Sequence, residues 1–339
     1  EDPQRRYKMF MKENGVSVEF SRDGLHWSDP IRCPEIDAAA DTHNNAFWAP
    51  ELERYVGITR LWSSNPRQRV VGRTESPDFL HWTKAVEVFR GDPARQIYAM
   101  PVFRYAGVYI GLPVIFEPEA DRSHTELAWS SDTVHWHRID PGTPLIPTSS
   151  NREEYDWGCV YGAACPIVRN DDIRLYYGAS NGPHTDWRDG FFALATLRPD
   201  GFAGYEPVDA NKTAVVVTTP IQTVGATLRI TADAASGSLR VTAIDAFGKP
   251  LATSQRITDD VTDRPVVFRD GTVFGRNHDK GCFPVDFEAL SCHRERFVWA
   301  IPFQVERVIG VRIAIAISIA VTVAIAVAVA IPISVGIPI

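Results

Sequence analysis

The chain has 339 residues, enough for two domains, and its 45% hydrophobic and 23% charged residues are the composition of a globular protein. A disordered or fibrous chain is therefore excluded. The formal net charge of −7 provides no electrostatic footprint for a nucleic acid, so that class of partner is excluded as well. The 9 Trp, 10 Tyr and 17 Phe residues exceed what folding requires, which is typical of all-β and sugar-binding proteins.

The chain begins with Glu1, and a strand-like run follows almost at once at residues 6–11. No charged-then-apolar signal segment precedes this run. We therefore expect the chain to be a fragment that has lost an N-terminal portion.

A seven-residue pattern, Ser-x-Asp-x-x-His-Trp, recurs three times in the first part of the chain. The copies begin at Ser21, Ser76 and Ser130, so the period is about 55 residues, and a degenerate fourth copy contains Asp200. Each period holds four strand-like runs, which is the organisation of a propeller blade. The sequence predicts the remainder of one blade and then blades at about 41–90, 92–140 and 153–206. With the expected lost portion counted, the economical total is five blades, so we expect a five-bladed β-propeller whose N-terminal part is missing.

The repeated pattern also predicts a tight turn in which the Ser and Asp side chains accept hydrogen bonds from the backbone. The Trp that follows is expected to pack between sheets. We therefore interpret Asp23, Asp78 and Asp132 and their neighbouring histidines as scaffold rather than as catalysts.

From about Asp209 the pattern changes to strand-like runs that predict a β-sandwich. The predicted organisation is a propeller at 1–207, a β-sandwich accessory domain at 208–300 and a low-complexity Val/Ile-Ala tail at 301–339. Every odd position from Val311 to Ile339 is Val or Ile. A helix has no reason to keep this period of two, so we interpret the tail as translated simple sequence or a shifted frame. A membrane anchor is the weaker alternative.

The five cysteines are odd in number, widely spaced and without the short paired spacing of a zinc site. They are Cys33, Cys159, Cys165, Cys282 and Cys292. We expect neither a metal cluster nor a disulfide framework, and no cofactor is identifiable. The redox compartment stays open.

The segment Phe47-Trp48-Ala49-Pro50-Glu51, in a five-bladed propeller followed by a sandwich, resembles the furanosidase-type glycoside hydrolases of families 32, 43, 62 and 68. Residues 42–48 and 72–79 are most similar to an uncharacterised, glycosidase-like bacterial branch. The resemblance covers residues 1 to about 270. It implies a carbohydrate substrate and, from that substrate, an extracellular or periplasmic location. An axial calcium ion is compatible with such propellers, although no ligand set is identifiable.

The resemblance further implies three acids around the propeller axis, one from each of the first three blades. Glu51 matches the second-blade acid, the first-blade position would precede Glu1, and Ala99 stands where the family has a Glu. Asp156 lies directly before an inner strand. Glu51 and Asp156 are therefore the catalytic candidates, expected to face a common cavity in opposed protonation states.

Loops that lead into inner strands, and hairpin loops between second and third strands, are expected to converge on one mouth of a propeller. These loops and the motif segments supply the substrate-binding candidates Asp41, His43, Asn45, Trp48, Arg73, Trp157, Asp186, Trp187 and Arg188. The same loops hold Trp62, Arg67, Asp121 and His184. Acids, amides and indoles at this density suit hydroxyl recognition and stacking on sugar faces.

Three functions follow from this pattern. The first is a glycoside hydrolase that acts on an oligosaccharide or polysaccharide. The second is a non-catalytic glycan-binding propeller, which Ala99 favours. The third is a sialidase, which needs three arginines for a substrate carboxylate and has Arg60, Arg67, Arg73 and Arg188 as plausible donors. A membrane partner is not expected, and the oligomeric state cannot be read from the sequence.

Overall fold

The computed structural model describes residues 2–205, 213–217, 221–222, 228–235, 237–244, 247 and 249–269, and the strands at 297–298, 302–306 and 313–314. Within these residues the regular structure is β, apart from two 3-10 turns at Pro3–Arg5 and Pro34–Ile36. The predicted all-β class is confirmed. No helix in this part of the chain is long and apolar enough to cross a membrane. The chain divides into two compact units, which meet in sequence between Phe202 and Ala203.

The first unit begins with two antiparallel meanders whose strands pair in chain order. The first strand group is β1 (Tyr7–Lys12), β2 (Val16–Ser21) and β3 (Ile31–Arg32). The second strand group is β4 (Asn45–Ala49), β5 (Arg54–Ser64), β6 (Arg67–Ser76) and β7 (Val86–Arg90). The central residues of β5 and β6 are buried without alternation, so both faces of this sheet are covered.

The third strand group repeats the meander, but prolines break its long strands in two. Pro101 and Pro113 lack a backbone N–H and interrupt the ladder where they stand. The strands are β8 (Gln96–Ala99), β9 (Val102–Tyr105), β10 (Val108–Gly111), β11 (Val114–Glu117), β12 (Arg122–Thr125), β13 (Leu127–Ser130) and β14 (His137–Ile139). One half pairs in the order β8-β11-β12 and the other in the order β9-β10-β13-β14.

The fourth strand group is joined to the third by main-chain pairing. Its strands are β15 (Cys159–Gly162), β16 (Ile167–Val168), β17 (Ile173–Ser180) and β18 (Gly190–Leu197). β17 pairs with β15, β16 and β18, and β15 runs parallel to β12 where Cys159 lies opposite Ser123. The second, third and fourth strand groups lie within the residue ranges predicted for three blades, and whether these groups are blades stays a prediction. The pairings of the described residues do not close into a ring, and the number of blades stays a prediction.

The predicted turn chemistry is confirmed in all three copies of the repeated pattern. Asp23 Oδ1 accepts hydrogen bonds from the N–H groups of Leu25 and His26, and the same two bonds recur at Asp78 and Asp132. Burial acts to raise the pKa of Asp78 and Asp132. Hydrogen bonds from the backbone and the following histidine nevertheless hold the pKa of all three carboxyls well below its usual range.

Apolar side chains fill the spaces between successive strand groups. Trp82 packs with Phe10 and Phe79 between the first and second groups, with ring centroids 4.9 and 5.2 Å away. Trp136 lies in the core between the second and third groups, with Ile58 and Tyr109 among its members. These two tryptophans therefore pack between sheets, as predicted.

The second unit is also built from antiparallel strands. They are β19 (Ala214–Val217), β20 (Ile221–Gln222), β21 (Arg229–Asp233), β22 (Ser238–Ile244), β23 (Pro250–Thr253), β24 (Asp260–Pro265), β25 (Phe297–Val298), β26 (Pro302–Glu306) and β27 (Ile313–Ala314). Ile230, Leu239 and Phe268 are among its core residues. β26 and β27, which fall within the predicted tail, pair with β19, β22 and β21. The sandwich stays a prediction, and the rest of the tail, the 207/208 boundary, Cys282 and Cys292 lie outside the described residues.

Candidate functional site

Each strand group has a leading end, which we define as the end at which its first strand begins. In the second group, Asn45 and the Ser64–Arg67 turn lie at this end, whereas the turn after Ala49 lies at the other. The leading ends of the third and fourth groups are the starts of β8 and β15 with the β11–β12 and β17–β18 hairpins. Hydrogen bonds join these ends from group to group. Arg69 donates to Gln96 Oε1 at 3.0 Å, and the N–H of His184 donates to the Asp121 carbonyl at 2.7 Å.

Asp41 supplies a carboxylate at the leading end of the second group. Its two oxygens lie 3.1 Å from Lys12 Nζ and 3.3 Å from Arg60 Nη2. The hydrogen bond from Lys12, with the charges of Lys12 and Arg60, keeps the pKa of Asp41 below its usual range. Asp41 is therefore an ionised carboxylate at neutral pH.

Two arginines lie side by side among aromatic rings. Trp62 lies opposite Arg69 in the β5–β6 register, and Arg60 is two residues from Trp62, so the three side chains share one face of the sheet. The Cζ atoms of Arg60 and Arg69 lie 5.0 and 5.4 Å from the Tyr98 ring centroid. The Arg69 Cζ also lies 4.8 Å from the rings of Trp62 and of Phe116. These distances are those of cation–π contacts, so the rings fix both guanidinium groups in place.

Both guanidinium groups keep an unused donor. Arg60 is only 4% exposed, and its Nη1 has no hydrogen-bond partner; Arg69 Nε is buried and equally without one. Burial, and next the charge of Arg60, lower the pKa of Arg69. A buried, unpaired charged donor is unfavourable in a folded protein, so these atoms point to a ligand.

Histidine and tyrosine rings complete the cluster. The rings of His184 and Tyr161 lie 4.9 and 5.7 Å from Tyr98, and His43 lies 6.3 Å from Tyr161. Neighbouring groups remove water from both rings and lower the pKa of His43 and His184 from an ordinary value that is already below 7, so both imidazoles are neutral at pH 7. We call Asp41, His43, Arg60, Trp62, Arg69, Tyr98, Tyr161 and His184 the leading-end cluster.

The fourth strand group brings two predicted segments to its leading end. One is the β17–β18 hairpin, where the N–H of Thr185 donates to Asp121 of the β11–β12 hairpin at 2.9 Å and Arg188 donates to the carbonyls of Pro183 and His184. Next to these residues, Asp186 accepts from the N–H of Trp187, and the Trp187 side chain is 88% exposed.

Asp156 and Trp157 lie directly before β15. Trp157 packs under the Arg122 guanidinium at 4.5 Å, and its carbonyl accepts from Arg122 Nε at 2.9 Å. Burial raises the pKa of Tyr177, whose hydroxyl shares a 2.9 Å hydrogen bond with Tyr155 Oη, and the charge of Asp156 raises it further. The Asp156 carbonyl accepts from the N–H of Ser149, which holds this segment at the leading end of the fourth group.

Three of the predicted site residues, Glu51, Trp48 and Arg73, do not lie at the leading end of their strand group. Glu51 lies in the turn that ends β4, where its carboxylate accepts from Tyr109 Oη at 2.6 Å and from Arg104 Nε at 3.1 Å. Trp48 also lies at this end and contacts Tyr55. The resemblance identified residues 47–51 with the start of an inner strand, whereas in the structure residues 47–49 are the last residues of β4 and Glu51 follows them. The structure consequently does not join Glu51 to Asp156.

Arg73 lies buried within the second strand group. Its Nε donates to Thr133 Oγ1 at 2.8 Å and its Nη2 lies 2.6 Å from Glu75 Oε1. These contacts connect β6 to the repeated turn of the third group, so its guanidinium is used within the scaffold. Asn45 is at the leading end, where its Nδ2 donates to the Val102 carbonyl at 2.9 Å.

The sequence reasoning missed Arg69, Tyr98 and Tyr161, and named Arg60 only as a sialidase donor. That reasoning searched loops, whereas these side chains stand on strands. The alternation Arg60, Trp62 on β5 and Arg69 on β6 was the available signal, because it places charged and aromatic groups on one face.

Metal ligands and cavities do not add to the site. In the ranges that the structure describes, no three His, Cys, Asp or Glu side chains are grouped as metal ligands. Two hollows of about 300 and 460 Å³ lie at the first strand group, lined in part by Arg32 and Asp37 and by Arg6 and Arg22. Neither lining includes a residue of the leading-end cluster.

No known family profile and no curated protein sequence matches the chain. Among solved structures, an N-acetylgalactosamine deacetylase from F. plautii is 16% identical, with a TM-score of 0.42 over 56% of this chain and 65% of that one. A β-1,2-mannobiose phosphorylase from Listeria innocua is 18% identical, with a TM-score of 0.41 over 54% and 49%. A GH32 β-fructofuranosidase from Bombyx mori is 12% identical, with a TM-score of 0.39 over 90% and 74%.

The chain spans less than two thirds of the length of the first two of these structures. Glycoside hydrolases are among the similar structures, so the resemblance predicted from the sequence is confirmed as a resemblance. Similarity at these scores carries no conclusion about the reaction, which has to be argued from the leading-end cluster.

Proposed function

We propose that the chain is a carbohydrate-active protein whose ligand binds at the leading-end cluster, and that it hydrolyses a glycosidic bond there. The observation that carries this proposal is the cluster itself. Rings of Trp62, Tyr98 and Tyr161 stand beside neutral imidazoles and the ionised carboxylate of Asp41. Rings bind the apolar faces of sugars, and polar groups placed among them bind hydroxyls.

The fold proposed for this function is a five-bladed propeller at 1–207 followed by a β-sandwich at 208–300. The successive antiparallel strand groups support the propeller, and the second of them buries both faces of its two central strands, as a blade between neighbouring blades would. In such an arrangement the leading ends of successive groups surround one axis, and a ligand there would contact several groups at once.

Glycoside hydrolysis needs one ionised carboxylate and one carboxylic acid. We assign the ionised role to Asp41, since Lys12 and Arg60 lower its pKa. Asp156 is assigned the acid role because it lies at the leading end of the fourth group. Glu51 is left out of this assignment, since Arg104 and Tyr109 bind it at the opposite end of β4.

The test is release of reducing sugar from a panel of neutral and acidic oligosaccharides by the full chain and three variants. Asp41→Asn and Asp156→Asn should each lower kcat by about 100-fold or more while a bound glycan is retained. Glu51→Gln is the matched control, because it removes a carboxylate of the same chain at the far end and should leave kcat within about threefold. Equal loss in all three variants would refute the assignment.

Glycan binding without turnover is the second candidate function. It is favoured by Ala99, which stands where the resembled family has an acid. It is also favoured by the direction in which the protein shifts the pKa values of its carboxyl groups. Every described carboxyl with a resolved shift has a lowered pKa, and none has the raised pKa of a general acid. Calorimetric binding of a glycan that the protein leaves intact, abolished by Trp62→Ala, would establish this function instead.

A further inference from the structure

We infer that Arg60 and Arg69 bind an oxyanion of the ligand, so that the glycan taken at the leading-end cluster is an acidic one. That the ligand is a glycan rests on the proposed function, whereas the oxyanion site itself is argued from the geometry of Arg60 and Arg69. The chemistry it takes is a carboxylate, a sulfate or a phosphate group presented to two guanidinium forks.

The leading-end cluster and its neighbours carry more positive than negative charge. The Lys12 ammonium and the Arg60 guanidinium contact the carboxylate of Asp41, and a second carboxylate, that of Asp121, lies 3.9 Å from His184 Nδ1. The guanidinium groups of Arg67 and Arg69 add two further cations beside the Trp62 ring. His43 and His184 add no charge at neutral pH, and Gln96 offers Arg69 a neutral oxygen. The described residues thus place an excess of positive charge at the leading end of a chain whose net charge is negative.

Each of the two guanidinium groups has an N–H donor that no protein atom accepts from. Arg60 Nη1 and Arg69 Nε are buried without a hydrogen-bond partner, and both groups lie within 5.4 Å of the same Tyr98 ring. Arg60 is more than nine-tenths buried, so bulk water cannot satisfy this donor freely. An oxyanion would accept from such donors and balance the excess charge in one contact.

Aromatic side chains hold both guanidinium groups in place in the ligand-free protein. Trp62, Tyr98 and Phe116 contact one or both of them at distances typical of cation–π pairs. Arginines that served only to pack against these rings would need no unused donors. A fixed pair of forks is instead the arrangement that discriminates an anionic ligand from a neutral one of the same shape.

The experiment measures binding by calorimetry with four probes: inorganic phosphate, inorganic sulfate, digalacturonate and the neutral methyl ester of digalacturonate. Arg60→Gln and Arg69→Gln should each weaken binding of the anionic probes by about 10- to 100-fold and leave the neutral ester within about threefold. Arg54→Gln is the matched control, because it removes the same charge from the same strand at the far end and should change nothing beyond threefold.

The probes distinguish the source of the oxyanion. Competition by inorganic phosphate or sulfate indicates a tetrahedral anion, whereas preference for digalacturonate alone indicates a carboxylate. Arg69→Lys keeps the charge without the fork and serves where a Gln variant fails to fold; it should weaken the anionic probes by an intermediate factor. The inference is overturned when no anion binds the unaltered protein, or when the variants weaken the ester and the anions equally.

Failure of the inference and failure of the proposed function give different results. If anion binding depends on Arg60 and Arg69 but no glycan of the panel binds, the oxyanion site is supported and the proposed function is refuted. Turnover of a neutral glycan by an unaltered protein that binds none of the anionic probes retains the proposed function and removes the oxyanion site.

Discussion

Glu126 is a carboxylate with no exposed surface, and its replacement gives the sharpest prediction on stability. Oε2 accepts from Arg138 Nε at 3.0 Å, while Oε1 accepts from the N–H of Gly142 at 2.9 Å and lies 3.3 Å from His124 Nε2. Glu126→Ala leaves the Arg138 cation, itself 15% exposed, without its counter-ion. Removing one partner of a buried ion pair costs about 3–5 kcal/mol, and the neutral Glu126→Gln should cost about 1.5–3 kcal/mol.

The assay is urea unfolding followed by tryptophan fluorescence, repeated from neutral to acid pH. Burial acts to raise the pKa of Glu126, but hydrogen bonds from His124 and Arg138 and the charge of Arg138 keep it below its usual range. The stabilisation is therefore present above the pKa of the unfolded state and is lost as the pH falls through the folded-state pKa. The difference between the unaltered protein and Glu126→Gln should disappear in acid.

Glu87→Gln is the control, because Glu87 forms an ion pair with Arg90 on the surface and its loss should cost at most about 1 kcal/mol. A cost for Glu126→Ala no larger than that of the control would refute the reasoning. So would a difference for Glu126→Gln that is the same at every pH.

Three further predictions address the scaffold. Asp132→Ala removes a carboxylate that accepts from two backbone N–H groups and should lower the free energy of unfolding by about 1–2 kcal/mol in urea titrations. Arg73→Leu breaks the bond to Thr133 and should lower thermal stability while leaving ligand affinity unchanged; a tenfold loss of affinity would place Arg73 in the binding site after all. Gly57→Ala brings a Cβ within 2.8 Å of Thr74 Cγ2, and overpacking should cost about 1–3 kcal/mol.

The strand order of the first unit was predictable because its signals are local. A Ser, an Asp and the backbone within a few residues make each repeated turn, so the pattern at Ser21, Ser76 and Ser130 carries its own structure. The loops that meet at the leading ends followed from this order. The number of blades could not be predicted in the same way, since the closing of a ring of blades depends on contacts between strands that are distant in sequence.

The site was only partly predictable, for a physical reason. Glu51 was assigned by resemblance, but a short motif does not specify whether its residues begin or end a strand. Tyr98 and Tyr161 belong to different strand groups and approach each other only because β15 pairs with β12. No spacing along the sequence encodes such a neighbour.

The main-chain connection between the third and fourth strand groups has a consequence for the thermodynamics of recognition. The N–H of Ser123 donates to the Gly158 carbonyl, and both His184 and Thr185 donate to Asp121 across the same gap. A ligand bound at this place would contact the third and fourth strand groups, which cannot separate without breaking backbone hydrogen bonds. Little ordering entropy is then lost on binding, so small changes in ligand shape should alter the dissociation rate far more than the association rate.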